Sequence, residues 1–130
     1  MGVIQMTNET KKVLIVDDDE TIRDLNGTLL ECLYTGTVEI TYADNGETLV
    51  EMMRNNKYDL VLTDNTMPKL TGISAIKKIR EFDKITPIYV IATLTDQQSE
   101  DMKSSGHTGY IPKGDSLYSP LEKVIKEHLI

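Results

Sequence analysis

In VLIVDDDE, residues 13–20, four apolar residues run directly into four acids, and this junction indicates both a buried strand and a site. Four consecutive apolar residues are typical of a strand that is covered on both faces, as in a parallel sheet. Adjacent carboxylates repel one another, and burying a single carboxylate is costly. The acids that end this strand therefore need a partner.

Four further short apolar runs follow along the chain, and helical patterns separate them. The runs are residues 38–42, 60–62, 88–92 and 110–111. Between them, apolar residues recur at helical spacing, for example Ile73, Ile76 and Ile79. Five βα units in succession predict an α/β fold, a three-layer sandwich with helices on both faces of a parallel five-stranded sheet. The flavodoxin-like strand order 2-1-3-4-5 places strand one beside strand three.

The composition indicates one globular domain. The chain has 130 residues, of which 39% are apolar and 27% are charged, and this is enough for one core. We expect an N-terminal extension over residues 1–11 and the domain over residues 12–130. No apolar run approaches the ~20 residues of a membrane helix, and the first residues lack the apolar core of a secretory signal.

Cysteine usage and net charge exclude further classes of protein. Cys32 is the only cysteine, which argues against a disulfide framework or a thiolate metal cluster and favours a reducing cytoplasm. The net charge of −7 argues against direct nucleic-acid binding, which needs a basic face. Charged partners are therefore expected to be basic or to arrive with metal ions.

The acids are expected to converge at one edge of the sheet. Asp17 and Asp18 follow the first strand and Asp64 follows the third, and ligands bind beyond the carboxyl ends of parallel strands. Three converging carboxylates must take up protons or hold a cation, and oxygen ligands alone favour Mg²⁺. Asp19 and Glu20 lie where a helix begins and are expected to cap it. The alternative is that the whole acid run only caps that helix.

LTDNTMPKLTG, residues 62–72, is the second signal. Asp64 ends a strand, so a carboxylate that faces a bound cation here is a candidate nucleophile toward phosphorus. Pro68 favours a turn, and Gly72 can supply an unusual backbone angle before the next helix. The alternative is an ordinary loop that contains an aspartate.

GYIPKG, residues 109–114, brings Lys113 to the same edge. Beside three acids, Lys113 is a candidate counter-charge and phosphate partner, although a lone loop lysine usually faces solvent. After strand four, Thr93 is the nearest candidate hydroxyl for a phosphoryl oxygen, and Thr95 is next. Both threonines would serve equally well to begin or cap a helix. Tyr110 is expected to pack, with rotation between inward and outward rotamers as the alternative.

Taken in order, three motifs resemble the receiver domain of bacterial two-component response regulators. They are the acid pair Asp17 and Asp18, D-x-x-M-P over residues 64–68, and G-Y-x-x-K over residues 109–113. The likeness covers residues 12–129. The chain is also similar in extent to stand-alone receivers of the chemotaxis type.

This resemblance implies a set of roles. Asp64 would accept a phosphoryl group from a phosphohistidine on a sensor histidine kinase or a phosphotransfer protein. Asp18, Asp64 and the main-chain carbonyl of Thr66 would bind Mg²⁺ directly, and Asp17 would act mainly through water. Lys113 would pair with Asp64 and then with the phosphoryl group. Such a domain catalyses its own phosphorylation and dephosphorylation and is not a classical turnover enzyme.

The output would pass through the fourth helix, fifth strand and fifth helix to a downstream protein target or to an effector domain missing from this sequence. Residues 95–105 offer only Met102 as a core anchor, so we expect a mobile helix there. The alternatives are a poorly formed surface helix and a loop.

The chain departs from the family pattern near the switch. The usual Ser or Thr position falls on Ala92, and Lys113 is followed by Gly114 where the family usually has proline, with Pro112 before the lysine instead. These departures concern the switching step more than phosphorylation. They motivate the alternative of a degenerate receiver that only binds proteins.

Two enzyme or cofactor alternatives fit the sequence less well. A Mg²⁺-dependent phosphohydrolase would need a second acid two residues after Asp64, where Thr66 lies. A flavodoxin-like cofactor binder would need a phosphate-binding loop after strand one, where the acids lie.

Overall fold

The computed structural model describes residues 10–114 and 116–130, in which five strands alternate with five helices. In chain order the elements are β1 (Lys11–Val16), α1 (Glu20–Leu33), β2 (Val38–Ala43), α2 (Gly46–Asn55), β3 (Leu60–Thr63), α3 (Gly72–Ile79), β4 (Ile88–Ala92), α4 (Asp96–Lys103), β5 (Gly109–Pro112) and α5 (Tyr118–His128). Of the expected extension, residues 1–9 lie outside the described part, and Lys11 already belongs to β1. No helix within the described ranges is both long and apolar enough to cross a membrane.

The sheet has the predicted topology. All neighbouring strands are parallel, and their order is β2-β1-β3-β4-β5. Val16 is in register with Ala43 on one side and Thr63 on the other. The residues that follow β1 and β3 therefore leave the sheet side by side, which brings the first acid run next to Asp64.

Two apolar layers cover the two faces of the sheet, which explains the uninterrupted apolar strands. Successive side chains of a strand point to opposite faces, so Leu14 and Val16 enter one core while Val13 and Ile15 enter the other. The first core is completed mainly by α2 and α3, and the second by α1 and α5. All four of these β1 residues are at most 1% exposed, so an alternating polar pattern has no place in this strand.

Helix α4 is held as weakly as the sequence suggests. Met102 is its one buried residue and joins the core formed with α2 and α3. The helix is shorter than residues 95–105, because Thr95 is its N-cap and Ser104 its C-cap. Thr95 and Gln98 form a reciprocal capping box, so local bonds at the first turn define the start of the helix.

Candidate functional site

Three carboxylates meet at the carboxyl edge of the sheet. Asp17, Asp18 and Asp64 each offer an oxygen, and these oxygens lie within 4.8 Å of one another. Main-chain bonds fix the two strand ends: the Asp64 amide donates to the Val16 carbonyl at 2.8 Å, and the Asp17 amide donates to the Ala43 carbonyl at 3.1 Å. Asp17 and Asp64 are buried, whereas Asp18 is exposed. The pocket therefore opens to solvent on the side of Asp18.

Lys113 reaches this pocket from the loop after β5. Its Nζ lies 3.3 Å from Oδ1 of Asp64 and 3.5 Å from Oδ2 of Asp17. Its amide donates to the Ala92 carbonyl at 3.0 Å, which holds the loop against the end of β4. Within the described residues every peptide bond is trans, and Gly114 makes the following turn with a φ of +104°.

The charges in the pocket are unbalanced. Burial is the largest cause that raises the pKa of Asp17, the Asp19 amide works against it, and the Asp64 charge adds to it. Partial burial disfavours the Lys113 ammonium, but the carboxylates of Asp64 and Asp17 outweigh that effect and raise the pKa of Lys113. The Lys113 ammonium thus pairs with two of the three carboxylates, and a further cation would relieve the cost of ionising Asp17.

The loop between β3 and α3 is clasped by Asn65, which sequence reasoning missed. The Asn65 amide donates to Oδ1 of Asp64 at 2.8 Å. Its buried side-chain Oδ1 accepts the Ile73 amide at 2.9 Å, and its carbonyl accepts the Gly72 amide at 2.9 Å. These bonds tie Asp64 to the first turn of α3. An asparagine after a strand-ending aspartate gives little indication of this role in the sequence, because the bonds depend on the path of the loop.

Gly72 has a different role from the one we expected. Its φ is not positive; in this loop the left-handed residue is Lys69, with a φ of 70°. A Cβ built on Gly72 would lie 2.2 Å from the carbonyl oxygen of Asp64. Glycine is therefore required by the close approach of α3 to the β3 end, and the expected unusual angle at Gly72 was wrong.

The acids that follow Asp18 have the expected structural position. Asp19 is the N-cap of α1, and its side chain accepts the amides of Thr21 and Ile22. Glu20 occupies the first turn. Thr66 is exposed, and its carbonyl accepts no hydrogen bond from the residues that the structure describes, so it is available as a ligand.

The hydroxyl groups near β4 occupy distinct positions. The strand ends at buried Ala92, and Thr93 follows as an exposed residue whose hydroxyl has no bond to the described residues. Thr95 caps α4 with its side chain. Tyr110 points inward, because its hydroxyl donates to the Ala92 carbonyl at 2.9 Å.

Arg23 is a second residue that sequence reasoning missed. From α1 it reaches back over the acid loop, and its Nη1 donates to the Asp17 carbonyl at 2.8 Å. A basic residue in the second turn of a helix that follows an acid loop is a weak signal, since most such side chains face solvent.

A comparison with known protein families identifies the family to which this fold belongs. The matching family is the response regulator receiver domain, and the match covers residues 13–119. The chain belongs to this family.

Relatives of this receiver are of two sizes. It is 33% identical over 114 residues to the autoinducer 1 sensor kinase/phosphatase LuxN of Vibrio campbellii, a match that covers 88% of this chain and 13% of that protein. It is 32% identical over 123 residues to the chemotaxis protein CheY-3 of Vibrio cholerae, with 92% of each chain covered. The receiver thus spans about an eighth of the length of the sensor kinase and nearly all of the chemotaxis protein.

A solved structure has the same fold. The receiver domain of the sensor histidine kinase PA1611 from Pseudomonas aeruginosa has a TM-score of 0.81, with 93% of this chain and 98% of that chain covered. That structure has a magnesium ion coordinated in its active site cleft. At 21% identity, the likeness shows the shared fold.

Proposed function

We propose that this receiver accepts a phosphoryl group on Asp64 from a histidine kinase or a phosphotransfer protein, in a reaction that depends on Mg²⁺. The observation that carries this proposal is the meeting of three carboxylates within 4.8 Å, with the Lys113 ammonium 3.3 Å from Asp64. A downstream protein or a linked effector domain would read the phosphorylated state. The receiver modifies itself and is not a turnover enzyme in the usual sense.

The donor set of the pocket fits Mg²⁺. The cluster is made only of carboxylates, whose oxygens are the ligands that Mg²⁺ prefers. Burial raises the pKa of Asp17, and a further cation would offset this increase. Asp18, Asp64 and the Thr66 carbonyl would hold the ion directly, and Asp17 would hold it through water. When bound, the ion supplies positive charge that offsets the negative charge of the transferring phosphoryl group. The magnesium in the PA1611 receiver supports this assignment.

The two oxygens of Asp64 differ in a way that favours one as the nucleophile. Oδ1 accepts the Asn65 amide and lies beside Lys113. Oδ2 takes no hydrogen bond from the described residues and is left to attack. A bond forms between this oxygen and phosphorus, the P–N bond of the donor phosphohistidine breaks, and its electron pair stays on the imidazole.

Lys113 links the chemistry to the rest of the fold. A phosphoryl group on Asp64 carries close to two negative charges on three acceptor oxygens, in place of the single charge of the carboxylate, and these oxygens draw the ammonium away from Asp17. Because the Lys113 amide bonds to the Ala92 carbonyl, this movement acts on the ends of β4 and β5. The Tyr110 hydroxyl shares that carbonyl, and Met102 gives α4 little resistance. The output is a population shift across the surface formed by α4, β5 and α5.

The size of this shift depends on the hydroxyl after β4. Moving a two-state balance from 1:99 to 99:1 needs about 5.5 kcal/mol of differential binding. Ala92 provides no hydroxyl, so Thr93 is our candidate phosphoryl partner from this strand end. Without a bond from Thr93, the shift rests on Lys113 and the main chain and is smaller.

We also assign the receiver to the cytoplasm. Its one cysteine, Cys32, is free and exposed, which suits a reducing compartment. The acidic net charge of −7 supports protein partners rather than direct contact with nucleic acid.

A second candidate function is a receiver that binds proteins independently of phosphorylation. The inward Tyr110, already bonded to the Ala92 carbonyl, favours it, because an output surface fixed in one state would not need phosphate.

Mg²⁺-dependent uptake of phosphate from acetyl phosphate separates the two functions. The wild type should gain a phosphoryl group in the presence of Mg²⁺ and lose that ability with a chelator. Asp64→Asn should remain unlabelled, whereas Asp59→Asn, at the opposite end of β3, should label like the wild type. Absence of labelling in the wild type would favour the protein-binding module.

A further inference from the structure

Arg23 makes a contact at the acid pocket that the proposed chemistry leaves unused. Its guanidinium reaches from α1 to the main-chain carbonyl of Asp17, with an Nη1–O distance of 2.8 Å in a partly buried position. Within the described residues it forms no ion pair with a carboxylate at 4.0 Å or less. Its bond is therefore directed at the backbone of the acid loop rather than at the acids themselves.

With this contact, the amide, the carboxylate and the carbonyl of Asp17 all have hydrogen-bond partners. The Asp17 amide donates to the Ala43 carbonyl, and Oδ1 of Asp17 accepts the Asp19 amide at 3.0 Å. The Arg23 bond holds the remaining main-chain group of Asp17, its carbonyl. The carbonyl belongs to the peptide unit that also carries the amide of Asp18, so the orientation of that unit is set.

Asp18 depends on that peptide unit more than its neighbours do. Its carboxylate belongs to the cluster, but it is exposed and has no hydrogen bond to the residues that the structure describes. Asp17 and Asp64, by contrast, are held by amides and by Lys113. The direction of the Asp18 side chain therefore follows mainly from the backbone that Arg23 holds.

We propose that Arg23 is a positioning residue for the Mg²⁺ site, acting through the Asp17 carbonyl on the orientation of Asp18. The proposal rests on the proposed function insofar as the carboxylate cluster binds Mg²⁺. Groups that orient metal ligands commonly change metal affinity by about 10- to 100-fold when they are removed.

A purely electrostatic role and a positioning role predict opposite effects of removing Arg23 on the affinity for Mg²⁺. As a nearby cation, Arg23 repels Mg²⁺, so removal of its charge alone would tighten Mg²⁺ binding. As a positioning residue, its removal lets the Asp18 backbone move and weakens binding. The sign of the change therefore separates the two roles.

Calorimetric titration with Mg²⁺ provides the test. Arg23→Met should weaken Mg²⁺ binding by about tenfold. Arg54→Met is the matched control, because it removes the same charge from a side chain that stacks on Phe82, 4.5 Å from the ring centroid and away from the cluster. It should bind Mg²⁺ like the wild type. In Mg²⁺-free NMR spectra, Arg23→Met should also shift the Asp18 amide resonance.

Arg23→Lys keeps the charge but lacks the guanidinium, so it should also bind Mg²⁺ more weakly than the wild type. If Arg23→Met does not fold, the titration of Arg23→Lys provides the test instead. Wild-type or tighter binding by a folded Arg23 variant would overturn the positioning role and leave the proposed function standing. If the wild type itself gave no heat with Mg²⁺, both the positioning role and the proposed function would be overturned.

Discussion

Lys113 and Asp64 lie 3.3 Å apart, nitrogen to oxygen, although 48 residues and the whole of β4 separate them along the chain. The same ammonium lies 3.5 Å from Asp17, so it bridges the ends of two neighbouring strands. This bridge makes the crowding of acids tolerable, because each buried carboxylate has one positive neighbour. It also places the residue best suited to sense a new negative charge in direct contact with the predicted acceptor.

Removal of the Lys113 ammonium should separate phosphorylation from the response to it. Lys113→Ala should still take up phosphate from acetyl phosphate, because Asp64 and the Mg²⁺ ligands remain, but it should lose most of the conformational response. The measurement is the change in amide NMR shifts on activation, in particular around α4 and β5. Lys103→Ala is the control, since Lys103 pairs with Glu100 on the exposed surface. Wild-type shift changes in Lys113→Ala would contradict this prediction.

Asp17 should make stability fall as the pH rises. Burial raises its pKa in the folded state above the unfolded value of 3.8, so the folded state binds the proton more tightly. Its destabilising effect is absent well below pH 3.8, develops as the pH rises through the folded pKa, and is complete above it. Asp17→Asn keeps an oxygen acceptor for the Asp19 amide and removes the charge. Without Mg²⁺, this variant should be more stable than the wild type at about pH 7.

Urea unfolding across that pH range, without Mg²⁺, measures the Asp17 effect. The gap between Asp17→Asn and the wild type should narrow as the pH falls toward 3.8 and close well below that value. Added Mg²⁺ should stabilise the wild type in preference to the variant. An Asp17→Asn protein that is less stable than the wild type at every pH would show that the charge is not the destabilising element.

Removal of the Asn65 side chain should lower both the stability of the fold and the rate of phosphorylation at Asp64. In Asn65→Ala, the Ile73 amide loses its acceptor in a buried position, which costs about 1–3 kcal/mol of unfolding free energy. The phosphorylation rate should fall as well, because the loop that carries Asp64 loosens. Asn56→Ala is the matched control, since its exposed side chain bonds, among the described residues, to the Met52 carbonyl alone. Equal urea midpoints for the two variants would show that the Asn65 side chain does not stabilise the loop between β3 and α3.

Helix α4 should exchange its amide hydrogens faster than α3. The two helices both have eight residues, but α3 buries five residues, four of them with side chains, whereas α4 buries only Met102. Few buried contacts allow local opening at low free energy. Native-state hydrogen exchange measures this difference residue by residue. Equal protection of α3 and α4 would mean that α4 is not the mobile surface that the switch requires.

Most of the fold could be predicted from the sequence, because its physical causes are local and repeated. The unbroken apolar run of residues 13–16 requires cover on both faces, and the two cores provide it. The neighbouring positions of β1 and β3 explain why Asp17 and Asp64 meet. The single buried residue of α4 likewise agrees with its polar sequence.

The supporting contacts of the site could not be predicted in the same way. Asn65 and Arg23 act through bonds between a side chain and a distant main-chain group. Such bonds depend on the path of a loop, and no periodicity in the sequence encodes that path. The requirement for Gly72 arises from a close approach between α3 and the Asp64 carbonyl, so it also became visible only in three dimensions.

Chemical trapping of the phosphorylated residue tests the central claim most directly. An aspartyl phosphate is reduced by borohydride to homoserine, and peptide mass spectrometry locates the product. After incubation with acetyl phosphate and Mg²⁺, the account predicts homoserine at position 64 and a loss of this product when the metal is chelated. Reduction at another aspartate, or no reduced residue in a protein that is folded and saturated with Mg²⁺, would contradict it.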